Sequence, residues 1–125
     1  MIRTIISIFI AFFLLLSVGF AETHFVNTTF HTFETLVRTL YDKAESGIAT
    51  YEDGTAVQTF WEEHKKTLQA WIPHVATQEV DYQLYEAVGF LYVRDYKSAI
   101  PKLEVVVGMC ENIPHSYTLT LENIF

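Results

Sequence analysis

The sequence predicts an all-α protein: an N-terminal signal or anchor helix, then an antiparallel bundle of about four helices with a docked C-terminal tail. Three observations carry this expectation. Apolar residues crowd the start of the chain, where they fill 16 of the first 21 positions. Beyond residue 21 they recur at spacings of three and four, the period of an amphipathic helix. No run alternates with period two for long enough to make a strand. At 125 residues the chain divides into a leader (1–21) and one ordinary helical domain (22–125).

In the leader, Arg3 is the only charged residue, and the run from residue 5 to residue 16 forms an apolar core. Gly19-Phe20-Ala21 supplies small residues, Gly19 and Ala21, at the two positions a signal peptidase reads, with Glu22 beginning the mature chain. Kept in place, residues 5–21 also reach the lower length limit of a membrane span, with Arg3 on the cytoplasmic side. Both readings stay open, and both put residues 22–125 outside the cytoplasm, membrane-anchored or secreted. With the leader set aside, 47 of the remaining 104 residues are hydrophobic, an ordinary share for a folded domain.

Each helix of the body has its own stripe. Val26, Phe30, Phe33, Val37, Leu40 and Ala44 step by four and three, a narrow seam of the kind that packs two helices side by side. The first bundle helix is expected from about Glu22 to Ser46, with Gly47 as its C′ residue. Residues 51–54 read as a turn, and Thr55 as the cap of the second helix. That helix carries Val57, Phe60, Trp61, His64, Leu68, Trp71 and Ile72 on its apolar face and is expected to end at Pro73. A third helix starts near Glu79, with Val80, Leu84, Ala87, Val88 and Leu91 inward. Asp95 is the expected cap of the fourth, whose stripe is Ala99, Ile100, Leu103, Val106, Val107 and Cys110. Pro101 predicts a kink or a later start at Ser98, and Pro114 the end of that helix.

Two parts of the chain carry a family resemblance. Leu119 to Phe125, preceded by Ile113-Pro114, resembles the C-terminal signature of the bacterial domain-of-unknown-function family 4363. The Trp-containing helix from Trp61 to Ile72, followed by His74 and the acidic pair Glu79 and Asp81, is similar to the same family. The resemblance implies an extracytoplasmic, membrane-associated helical protein of a Gram-positive-type bacterium. It implies no activity.

Composition and spacing narrow the function classes. The body carries 7 basic and 15 acidic side chains, which argues against nucleic acid and other anionic partners. One cysteine excludes an internal disulfide and any multi-cysteine zinc site. The weak metal candidates are His31, Glu34 and His64. A bundle metal site normally shows paired Glu-x-x-His motifs, and here there is a single His31-x-x-Glu34. Cys110 lies on an apolar stripe with no base beside it, so no catalysis is expected, and no cofactor.

The reading that results is a structural or protein-interaction module. Its partners are the membrane, if the leader is kept, and an unidentified protein. Tyr82, Tyr85 and Tyr92 are the candidate patch on the third helix, and Leu121, Ile124 and Phe125 the candidate patch on the tail. The alternative is a small-molecule or metal-binding exported protein using that aromatic helix or the histidines.

Overall fold

The computed structural model describes residues 1–117, and all of its regular structure is helical. The expected docking of Leu121, Ile124 and Phe125 lies outside the described residues. Four helices follow in order: α1 (Ile2–Glu45), α2 (Tyr51–Leu68), α3 (His74–Tyr92) and α4 (Tyr96–Tyr117). The short turns make successive helices antiparallel. Each helix packs on its chain neighbours, and α4 closes the ring on α1.

The first bundle helix does not begin at Glu22, because the helix continues back through the leader segment. Both belong to the single 44-residue α1. Positions 19–25 contain one glycine and no proline, and one helix-interior glycine costs only about 1 kcal/mol, too little on its own to break a long helix. Along α1 the environment changes instead. The apolar side chains up to Phe20 are exposed, whereas Val26, Phe30, Phe33, Val37, Leu40 and Ala44 are all buried, as their spacing predicts. The first part is long and apolar enough to cross a membrane.

α1 ends as expected at Gly47, whose φ of 70° suits a residue without Cβ. The Ile48 N–H reaches Lys43 O at 3.0 Å and the Gly47 N–H reaches Ala44 O at 3.1 Å, a Schellman closure. The start of α2 corrects the expected turn at residues 51–54. Thr50, not Thr55, is the cap: its hydroxyl accepts the Asp53 N–H at 3.1 Å, and Asp53 Oδ2 accepts the Thr50 N–H at 3.0 Å. Gly54 is then a buried helical residue, not a turn residue. A Cβ there would stand 3.0 Å from Leu91 Cδ1 and 3.2 Å from Val88 Cγ2, so the glycine lets α2 approach α3.

The α2–α3 connection also differs from expectation. α2 stops at Leu68 and not at Pro73, because the Ala70 and Trp71 amides turn back to the carbonyls of Thr67 and Leu68. Ile72 still reaches the core, but Trp71, expected on the buried stripe, is 39% exposed. α3 begins at His74, well before Glu79, with Pro73 at the cap position. The Gln69 side chain braces this entry, donating to the buried Thr77 hydroxyl at 3.1 Å.

Asp95 caps α4 as expected, accepting the Ser98 N–H at 3.2 Å. Pro101 does not delay the start of the helix to Ser98, and Pro114 does not end it. The helix begins at Tyr96, passes through Pro101, and continues past Pro114 to Tyr117. Each proline removes one donor, and burial of Ala99, Leu103, Val106, Cys110 and Ile113 along the same helix outweighs that loss.

The core is aromatic where α1 meets α2. The Trp61 ring lies 4.9 Å from Phe33 and 6.0 Å from Phe30, and Phe60 stacks on Phe33 at 6.1 Å. Backbone bonding from Thr50, then Lys43 at 3.2 Å, lowers the pKa of Asp53. The stabilisation that follows is full above the unfolded carboxylate value of about 4 and is lost as pH falls through the lower folded value. Thr50→Ala is expected to cost about 1 kcal/mol in denaturant unfolding. Asp53→Asn is expected to lose stability at neutral pH and to show a shallower decline than the parent between neutral and acid pH.

Candidate functional site

The histidine and acidic candidates do not converge. His31 is exposed, and Glu34 is engaged by Arg38 at 3.0 Å on the next turn of α1. His64 stacks on Phe60 with ring centroids 4.1 Å apart, and its Nδ1 lies 2.8 Å from Phe60 O. A ring nitrogen that close to a carbonyl donates its N–H to it. Among the described residues, no group of three or more His, Cys, Asp or Glu side chains could hold a metal ion. Cys110 is buried in the core, and burial pushes its thiol well above the usual range, so it stays protonated at neutral pH.

The three tyrosines of α3 serve different surroundings. Tyr82 is exposed. Tyr85 is half-buried and donates its hydroxyl to Glu62 Oε1 at 3.0 Å, tying α3 to α2. Burial, followed by that bond, raises its pKa well above the ordinary phenol value. Tyr92 stands at the end of α3 and meets Tyr51 edge-on at 5.1 Å. They are therefore one exposed ring, one interhelical strut and one element of the bundle tip.

Two polar seams escape sequence reasoning. In the first, the Trp61 indole N–H donates to Asp81 Oδ1 at 2.6 Å, and Lys65 Nζ lies 3.2 Å from Asp81 Oδ2. A tryptophan on a core stripe needs a partner for its one donor. That need is visible in the sequence; the partner, on a different helix, is not. In the second, Arg38 bridges Glu34 and, at 2.7 Å, Glu111 of α4, while Tyr41 donates to Glu104 at 3.2 Å. Hydrogen bonding to Glu45, then burial and Glu104, keeps the Tyr41 phenol protonated. These groups line an open cleft of about 480 Å³ between α1 and α4. Its arrangement is that of a seam joining two helices, with the arginine already satisfied by two carboxylates.

The end of the bundle away from the leader is the larger exposed feature. There Ile48, Tyr51, Tyr92 and Val93 are exposed side by side on two turns. Ile48, Tyr51 and Tyr92, with Arg94 and Tyr96, border a cleft of about 560 Å³. The Tyr96 hydroxyl donates to Ala49 O at 2.8 Å and locks the two turns together. Arg94 occupies the left-handed region at φ 59°, where a glycine would normally close the helix. Its N–H reaches Leu91 O at 3.1 Å, and the Asp95 N–H reaches Phe90 O at 2.8 Å.

Residues 20–124 match the family model described as Domain of unknown function (DUF4363). No curated protein and no solved structure matches the chain. The match leaves out nearly all of the exposed apolar part of α1 and covers the whole bundle. Because a non-glycine residue in the left-handed region carries about 1 kcal/mol of strain, Arg94→Gly is expected to raise the unfolding free energy by up to that amount. Thermal denaturation of parent and variant in one buffer reads the difference.

Proposed function

The chain belongs to the DUF4363 family, and we propose that it is a membrane-anchored, extracytoplasmic helical module that works by protein interaction, without catalysis. The observation that carries the proposal is the continuity of α1. Up to Phe20 the helix has no protein to pack on and no charge beyond Arg3, and from Val26 onward it forms one wall of the core. A helix of this kind is satisfied when apolar solvent surrounds the first part and water surrounds the bundle, because every backbone group of the span is bonded within the helix. Arg3 at the N-terminal end of the span supports a cytoplasmic N-terminus. Gly19, Phe20 and Ala21, the stretch a signal peptidase would read, are mid-helix here, which favours a retained anchor over a released domain.

The interaction role draws support from the tip. A rigid bundle standing on one span presents its far end to the surroundings, and that end carries the exposed apolar side chains Ile48, Tyr51, Tyr92 and Val93. Large apolar groups clustered on a small domain are commonly a binding surface.

Placement can be tested by cysteine labelling in a bacterial host. Ser46 is exposed at the tip, and the native Cys110 is buried. In intact cells, Ser46→Cys is expected to react with a membrane-impermeant maleimide while the parent does not. The protein should stay in the carbonate-washed membrane fraction with Met1 as its N-terminus. Labelling only after lysis would overturn the extracytoplasmic placement, and a released protein beginning at Glu22 would overturn the anchor.

A further inference from the structure

We infer that the α2–α3 turn is a second membrane contact, in which Trp71 and Val75 enter the headgroup region of the bilayer that α1 spans. The inference rests on the anchored reading of α1 and adds to it a fixed orientation of the bundle. Three independent features of the turn lead there.

The first is height. The contacts of Trp61 with Phe30 and Phe33, and of Lys43 with Asp53, set the antiparallel register of α1 and α2. Carried down both helices, that register puts Trp71 opposite about Thr23. Residues 2–21 extend about 30 Å at about 1.5 Å per residue, the thickness of a hydrocarbon core. The turn thus stands roughly half a helical turn, about 3 Å, beyond the end of the span, at the headgroup layer.

The second is exposure. Trp71 is 39% and Val75 76% exposed, with Pro73 exposed between them, on a protein whose other core-stripe residues of α2 are buried or half-buried. Tryptophan is the residue type enriched at membrane interfaces, with an apolar ring and one N–H for the polar layer. The third is charge. Residues 67–78 contain no Asp, Glu, Lys or Arg, although the body as a whole carries 22 such side chains. Lowering this turn into headgroups therefore desolvates no carboxylate, ammonium or guanidinium group. The opposite end of the bundle, with Glu52, Asp53, Arg94 and Asp95 around its turns, has no such neutral stretch.

The full chain is reconstituted in vesicles of phosphatidylcholine and phosphatidylglycerol, with or without lipids brominated near the headgroup end of their acyl chains. Trp61 is buried in the bundle, so quenching by bromine reports Trp71. The parent is expected to lose a substantial part of its emission, and Trp71→Phe to lose almost none. Val75→Asp, at an exposed position that folding does not depend on, should reduce the quenching of Trp71 at least twofold. Equal quenching in the parent and Trp71→Phe overturns the inference. So does an unquenched parent that floats with the vesicles. A chain that does not float with the vesicles overturns the anchored reading and this inference with it.

Discussion

Backbone hydrogen bonding runs without interruption from Ile2 to Glu45, and the rest of the molecule is arranged around that helix. One helix has to satisfy two solvents. As far as Ala21 it is apolar on every side, and over the remainder it is apolar on a single seam facing α2 and α4. A flexible joint at Ala21 would let the bundle move freely over whatever surface the leader enters. A continuous helix instead transmits the orientation of one half to the other, so the positions of Trp71 near the span and of Tyr92 at the far tip are set by the geometry of the bundle.

The bundle is held to α1 by two kinds of contact. Toward α2 the joint is aromatic and dry, with Phe30, Phe33 and Trp61 interlocked and the indole N–H satisfied by Asp81. Burial of rings on this scale contributes several kcal/mol. Toward α4 the buried seam of Leu103, Val106 and Cys110 is flanked by an exposed polar layer of Arg38, Tyr41, Glu104 and Glu111. Exposed ion pairs of this sort contribute little to stability, generally about 1 kcal/mol or less. They set the register of two helices that would otherwise slide along an apolar seam. The acidic surplus of the body is therefore partly structural: Asp53, Asp81, Glu62, Glu104 and Glu111 each take a donor from another residue.

The sequence is most readable where periodicity alone decides. All six seam residues of α1 are buried, as are the five inward residues of α3, because a period near 3.6 leaves no other face for them. It is least readable at helix ends. Thr50 and Thr55 are equally good cap residues by type; the choice falls to Thr50 because Asp53 stands three positions on and closes the reciprocal bond, a spacing visible in the sequence. Trp71 fits the α2 stripe by spacing and leaves it because the helix stops at Leu68, where the Ala70 and Trp71 amides turn back to Thr67 and Leu68. The metal candidates His31 and Glu34 lie on α1 and His64 on α2, and they form no common centre: Arg38 engages Glu34, and His64 bonds the Phe60 carbonyl.

The continuity of α1 across the end of the apolar run can be measured directly. Ser17 and Thr39 are exposed on α1, on either side of the junction. With Cys110 replaced by alanine, spin labels at these two positions in the vesicle-reconstituted chain report one distance by double electron–electron resonance. An unbroken helix gives a narrow distribution centred near about 33 Å, the rise from position 17 to position 39 at about 1.5 Å per residue. A broad distribution, or one centred well below that length, would show a joint between anchor and bundle and would contradict the shared helix on which the placement of both ends depends.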